Sequence, residues 1–173
     1  MKRTVIPLCM AVILILAGSP YGKESRMKIS STAFGQNGQI PAKYTCDGAD
    51  INPPLAFEAV PSGAKSLALI VDDPDAPMGT WVHWVVWNID PKTRGIAENS
   101  IAQGAMQGTT DFGKRVYGGP CPPSGTHRYF FKLYALDLVP DMKAGARKAD
   151  LEAAMKGHIL EETQLMGLYK RGR

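Results

Sequence analysis

Ser66-Leu67-Ala68-Leu69-Ile70-Val71-Asp72 and, after a turn, Trp81-Val82-His83-Trp84-Val85-Val86-Trp87-Asn88 are the two runs on which the fold turns. Both are rich in β-branched and aromatic residues and both are bounded by turn formers, so they read as neighbouring strands. Along the second run, period-2 alternation puts Val82, Trp84 and Val86 on one face and Trp81, His83, Val85 and Trp87 on the other. Both faces are largely apolar, as expected of a strand inside a packed sheet. Further on, Arg128 to Leu136 alternates more cleanly, with Tyr129, Phe131, Leu133 and Ala135 on one side and Arg128, Phe130, Lys132 and Tyr134 on the other. It reads as a half-buried strand. Helix signal is confined mainly to Lys148–Gly157, where Ala149, Leu151, Ala153, Ala154 and Met155 favour a helix and Gly157 suits its stop. Ile159 to Tyr169 returns as a strand. Many Gly and Pro residues between short strands predict an all-β dominated chain: an antiparallel Greek-key β-sandwich-like fold with one or two short peripheral helices. A parallel α/β sheet would need regularly alternating helices, which are missing from this pattern.

The chain has 173 residues, 45% of them hydrophobic and 21% charged, which suits one domain with its own core. Met1-Lys2-Arg3, the apolar run Val5 to Leu16 and the small residues Ala17-Gly18-Ser19 have the layout of a secretory signal, so residues 1–22 are expected to be removed and the protein to be periplasmic or secreted. The apolar run, about a dozen residues, is short of the ~20 that span a bilayer. Ser19 stands where a lipoprotein box needs cysteine, which disfavours lipidation. Residues 27–173 are then the folded domain. Loss of Lys2 and Arg3 takes the formal net charge from +4 to +2. No dense Lys/Arg run sits beside an aromatic platform, so nucleic acid is not an expected partner. Cys9 leaves with the signal, and Cys46 and Cys121 remain. In an oxidising compartment such a pair either bridges or stays as two free thiols in tight loops, and spacing alone does not bring the Cα atoms within ~4.4–6.8 Å.

Several nucleotide and hydrolase motifs fail on their mechanics. Gly108-Thr109-Thr110-Asp111-Phe112-Gly113-Lys114 has P-loop spacing, but Arg115 replaces the hydroxyl that would hold magnesium. There is no G-x-S-x-G elbow in the mature segment and no H-E-x-x-H helix. Asp73-Pro74-Asp75-Ala76-Pro77 carries more information. Residues two apart in extended backbone point the same way, so Asp73 and Asp75 are expected to present both carboxylates to one side, and the prolines stiffen the loop. With His83 and His127, these acids can form one polar pocket in which a carboxylate orients an imidazole. Gly118 and Gly119 permit close backbone approach, and their N–H groups are expected to help hold oxyanions. Tyr129 and Trp84 are candidate walls. Asp and His are also reasonable metal ligands, but no diagnostic spacing supports a metal.

The series Tyr44-Thr45-Cys46-Asp47-Gly48, Asn52-Pro53-Pro54-Leu55, Asp73-Pro74-Asp75-Ala76-Pro77, His83-Trp84, Asp111-Phe112-Gly113, Tyr117 to Pro123 and His127-Arg128-Tyr129 resembles the phosphatidylethanolamine-binding protein family, in its bacterial, Raf kinase inhibitor-like branch. The resemblance runs in order across nearly the whole mature chain. It implies a mainly antiparallel β fold with a shallow cavity at one end of the sheets that takes phosphate-type groups or phospholipid head groups. Carried over position by position, Asp73, Asp75, His83, Gly119, Pro122, Pro123, His127 and Tyr129 would line it. Bacterial relatives also imply a homodimer, where composition alone permits a monomer. This chain has Cys121 where eukaryotic relatives have a small residue before the paired prolines, and its loop Ser124-Gly125-Thr126 is short, so eukaryotic kinase partners do not carry over.

The expected function is therefore that of a binding protein for a small anionic or phosphorylated ligand, with a protein partner at the pocket rim as an extension of it. The alternative is an inhibitor or regulator of a protease or kinase. A weak hydrolase with His83 as general base lacks an activated nucleophile. No catalytic residue, metal or cofactor is assigned.

Overall fold

A computed structural model describes residues 26–172; the expected signal segment, residues 1–22, lies outside them. In chain order the strands are β1 (Lys28–Ser30), β2 (Gly38–Gln39), β3 (Leu55–Glu58), β4 (Ser66–Asp73), β5 (Trp81–Ile89), β6 (Gly95–Ile96), β7 (Met106–Gln107), β8 (His127–Leu136) and β9 (Ile159–Tyr169), with helix α1 (Lys148–Met155) between the last two. They form a six-stranded sheet in the order β2-β9-β8-β4-β5-β7 and a three-stranded sheet in the order β1-β3-β6. Pairing is antiparallel except between β2 and β9, which run parallel. The fold is thus dominated by β structure with one helix, as the strand pattern predicts. No helix among the described residues is long and apolar enough to cross a membrane.

Strand β4 explains the layering. Leu67, Leu69 and Val71 point into the space between the two sheets, where they meet Ile29, Leu55, Phe57 and Ile96 of the small sheet and Phe131 and Leu133 of β8. Ala68 and Ile70 point the other way, onto Leu151 and Met155 of α1 and Trp87 of β5. The near-continuous apolar run of β4 is therefore used on both faces. Burying each large side chain of this kind contributes roughly 1.5–3 kcal/mol. The helix starts where Asp150 accepts the Arg147 N–H at 2.8 Å, and it stops before Gly157, whose φ of +81° takes the chain out of helical geometry.

Strand β5 departs from simple alternation. Val71 pairs with Trp84, but Asp72 pairs with Val82, so His83 is an extra residue on β5: a bulge. Val82 consequently joins Val85 and Trp87 on the helix side, not Trp84 and Val86 as alternation predicts. The His83 ring is carried to the inter-sheet side, against Tyr129. One inserted residue re-aims one side chain, which is what a bulge does at the end of a strand.

Candidate functional site

The C-terminal end of β4, the start of β5 and the start of β8 meet at one end of the large sheet, and the bulge turns His83 toward them. At the end of β4, Asp73 closes the turn by accepting the Asp75 N–H on Oδ1 at 2.8 Å. Its Oδ2 faces His127 Nδ1 at 2.8 Å, and both side chains are buried. His83 is 3% exposed, and its Nδ1 lies 2.7 Å from the Gly118 carbonyl oxygen. That oxygen can only accept, so Nδ1 carries the proton. Burial pushes the His83 imidazole below its ordinary value, against the pull of the Gly118 carbonyl and the Asp73 charge.

Asp73, His83 and His127 together line a cavity of about 270 Å³. Its walls are Ala76 and Pro77 from the stiff turn, Trp81, Phe112 and the paired Pro122 and Pro123, with Cys121 at the edge. Tyr129 lies behind both imidazoles, edge-on to His83 at 5.2 Å and roughly parallel to His127 at 6.5 Å between ring centres. Its hydroxyl is buried near the Asp73 carboxylate and is not part of the cavity lining. Burial, and then the nearby Asp73 charge, raise the phenol well above its ordinary range, so it remains a donor. Neither His83 Nε2 nor His127 Nε2 has a hydrogen-bond partner among the described residues. A polar floor with unused hydrogen-bonding atoms beneath apolar walls has the composition of a small-ligand site. A larger hollow bounded by Arg26, Pro61 and Glu161, about 740 Å³, has no buried imidazole in its lining.

The other sequence-predicted residues are placed differently. Asp75 turns away from Asp73: its carboxylate takes the Arg128 backbone N–H at 2.9 Å and the guanidinium Nε and Nη2 at 2.8 and 2.6 Å. The Arg128 hydrogen bonds hold its carboxyl at about 2. The two carboxylates therefore do not share a side, because the Asx turn at Asp73 ends the extended backbone on which the alternation rule depends. The amides expected to face the ligand are also committed elsewhere. Gly118 N–H donates to the His83 carbonyl at 3.0 Å, and Gly119 N–H to Asp50 Oδ1 at 2.6 Å. Glycine is required at 119 for packing: a Cβ there would lie 2.5 Å from the Tyr44 carbonyl oxygen. Trp84 is a core residue whose indole N–H donates to Gln107 Oε1 at 2.7 Å, and it is not a wall of the cavity.

Phe112 and Trp81 are site residues to which sequence reasoning assigned no role. They pack edge-on at 5.5 Å, and Phe112 also meets the His83 ring at 5.3 Å. Phe112 sits directly over Gly118, where a Cβ would come within 2.5 Å of its ring. Asp111 positions this loop by accepting the Val82 N–H at 2.8 Å beside the bulge. Cys46 and Cys121 are joined in a disulfide with Cα atoms 5.4 Å apart, which ties the Cys46 turn to the cavity rim across 75 residues. Among the described residues no three His, Cys, Asp or Glu side chains converge as metal ligands.

Comparison with known proteins agrees with this architecture. The family model described as phosphatidylethanolamine-binding protein matches residues 30–170. A UPF0098 protein of Methanothermobacter thermautotrophicus is 54% identical over 151 residues, covering 84% of this chain and all of that protein. One from Pyrococcus horikoshii is 48% identical over 180 residues, covering 98% of this chain and 90% of that protein. Among solved structures, a putative phosphatidylethanolamine-binding protein homologue from Chlamydia trachomatis superposes with a TM-score of 0.82 at 44% identity, covering 85% of this chain and 99% of that one. An Escherichia coli protein described as a new member of the mammalian family gives 0.80 at 27% identity, covering 86% of this chain and all of that one. With its strand order, its end cavity and a match across nearly all of the described residues, the chain belongs to the phosphatidylethanolamine-binding protein family of ligand-binding proteins.

Proposed function

We propose that the protein binds a small anionic or phosphorylated ligand, of the phosphate or phospholipid head-group type, in the cavity floored by Asp73, His83 and His127. The observation that carries this reading is the convergence of Asp73, His83 and His127 on one cavity, with both imidazole Nδ1 atoms engaged by the protein and neither Nε2 atom given a protein partner among the described residues. A hydrogen bond to such a group contributes roughly 0.5–1.5 kcal/mol net, so a ligand that engages both gains affinity without new packing. The volume of about 270 Å³ suits a phosphate or a head group and not a large ligand. Titration with phosphate, phosphoethanolamine and acetate, followed by NMR, is expected to shift His83, His127 and Phe112 at millimolar ligand and to leave α1 unmoved. No perturbation around His83 would refute the reading.

A second reading, regulation of a protein partner through the rim, is favoured by Met78. This large apolar side chain is 96% exposed on the turn that carries Pro77 into the cavity wall. Capture of a partner by the wild-type chain but not by Met78→Asp, with ligand titration unchanged, would support it. Export to the periplasm or medium belongs to the same proposal, and the Cys46–Cys121 bridge is supporting chemistry, because such bonds persist in oxidising compartments. Sequencing the N-terminus of the mature protein tests it. Self-association as a homodimer is tested by sedimentation.

A further inference from the structure

The Cys46–Cys121 bridge stands between two hollows. Cys121 and Phe112 line both the cavity at the end of β4 and a neighbouring hollow of about 300 Å³, whose lining also includes Cys46, Asp50 and Lys114. Cys121 is exposed and Cys46 half-buried, and neither belongs to the hydrophobic core, so the bridge lies at the surface. Exposed disulfides are the ones open to exchange with a thiol.

The segment on one side of the bridge has little else to hold it. From Cys121 to Thr126 no backbone or side-chain group makes a hydrogen bond among the described residues. Just before it, the Pro120 carbonyl accepts the Cys46 N–H at 3.1 Å, and the Gly119 N–H donates to Asp50 Oδ1 at 2.6 Å. Just after it, the β8 ladder begins at His127. Within it, Pro122 is buried at the cavity, while Pro123 and Ser124-Gly125-Thr126 are exposed. The turn on the other side of the bridge is fixed independently. Thr45 N–H and Oγ1 both donate to the Ala42 carbonyl, the Gly48 N–H donates to the Thr45 carbonyl, and Asp47 is held by the Tyr169 hydroxyl and by Arg171. The bridge thus straps a loosely held rim to a firmly built turn. Cutting it releases the rim and leaves the turn and the sheets in place.

We propose that the Cys46–Cys121 bridge is a site of thiol–disulfide exchange with a dithiol, and that its reduction in the folded protein frees the rim segment 120–126 that walls the cavity. The more exposed sulfur, Cys121 Sγ, takes the attacking thiolate: a bond forms from the dithiol to Cys121 Sγ, the Sγ–Sγ bond breaks, and Cys46 leaves as the thiolate. The second thiol of the dithiol then displaces Cys121 and closes the reagent's own disulfide. The dithiol gives up two electrons and two protons, which Cys46 and Cys121 receive as two thiols. Lys114, in the lining of the shared hollow, offers a positive charge to the incoming thiolate and to the Cys46 thiolate that leaves. Asp50, the acid in that lining, has Oδ1 engaged by the Gly119 amide. None of this depends on what the cavity binds.

The test is reduction of the native protein by dithiothreitol without denaturant, quenched with iodoacetamide at timed intervals and read by mass spectrometry. Hydrogen exchange of the oxidised and reduced forms is then followed by NMR at short labelling times. The reduction rate should rise in proportion to dithiothreitol concentration and exceed the global unfolding rate, extrapolated from urea kinetics, by at least about a hundredfold. After reduction the Cys46 and Gly119 amides, which tie the rim beside the bridge, should exchange at least about tenfold faster, while β4 and β8 stay protected over the same interval. Cys46→Ser cuts the bridge and leaves the rim sequence intact, so it should show the same pattern without reductant. Should that variant not fold, reduced wild-type protein carries the comparison. A reduction rate independent of dithiothreitol, meaning that the bond opens only when the chain unfolds, would overturn the inference. Unchanged exchange at Cys46 and Gly119 after reduction would overturn it too, as would loss of protection across β4 and β8 together with them.

Discussion

Asp72 and Asp73 are consecutive on β4, both buried, and their roles have little in common. Alternation sends Asp72 to the helix side, where Lys132 reaches it at 2.8 Å and Lys148 at 2.6 Å. Burial works against the Lys148 charge, but its contacts with Asp72 outweigh this and raise the ammonium above its ordinary value. Asp73 goes to the cavity side, where its only cation-capable partner among the described residues is His127, 2.8 Å away. The first acid is compensated by two full positive charges and sits beneath the docked helix. The second lines the cavity, beside two imidazoles whose Nε2 atoms have no protein partner among the described residues. A buried acid surrounded by matching charge is part of the scaffold, whereas one beside unused hydrogen-bonding atoms belongs to a binding site.

The largest expected effect comes from breaking the scaffold side of this contrast. Asp72→Ala leaves the partly buried Lys132 ammonium uncompensated and Lys148 with only Glu152 at 3.6 Å, and loss of one partner of such a pair costs roughly 3–5 kcal/mol. Urea unfolding should show that loss, while the fraction that remains folded should bind phosphoethanolamine as the wild type does. Next, Cys121→Ser removes the bridge that closes a long loop, with an expected cost of about 2–4 kcal/mol. Thermal unfolding should show it, and unlike Asp72→Ala it should also weaken ligand binding, because Cys121 stands at the rim.

Asp73→Asn should invert the pattern seen for Asp72. A stability loss of about 1–3 kcal/mol, from replacing a charge-assisted hydrogen bond to His127, should accompany at least a tenfold loss of affinity. If its ligand affinity equals that of the wild type, the division between scaffold acid and site acid fails. Asp75→Asn sharpens the comparison from the small end. Its pair with Arg128 is half-solvated, so no more than about 1 kcal/mol is at stake after screening. The folded carboxyl sits at about 2, below its unfolded value. Its contribution is therefore present above pH ~4 and is lost as pH falls toward 2. Acid unfolding midpoints of wild type and Asp75→Asn should converge at pH 2.

The long elements were legible from the sequence because their patterns are self-contained. β4, β8, β9 and α1 each carry their periodicity and their stop signals within the segment. The short strands β1, β2, β6 and β7 carry two or three residues each and depend on partners distant in sequence. The convergence of Asp73, His83 and His127 was readable, and so were the proline walls at Pro122 and Pro123. Three details were not. The bulge at His83 depends on pairing with β4, and β5 alone gives no sign of it. The direction of Asp75 is decided by Arg128, 53 residues away. The commitment of the Gly119 amide is decided by Asp50, 69 residues away. Phe112 as a wall could have been anticipated only by asking what a bare Gly118 is there to accommodate.

The most direct test of the central claim is a crystal structure of the protein grown without phosphate and then soaked with phosphoethanolamine. The phosphoryl group is expected inside the cavity between Trp81 and Pro123, with its oxygens within hydrogen-bonding distance of His83 Nε2 and His127 Nε2. A phosphoryl group bound elsewhere, or an unchanged cavity at saturating ligand, would contradict it.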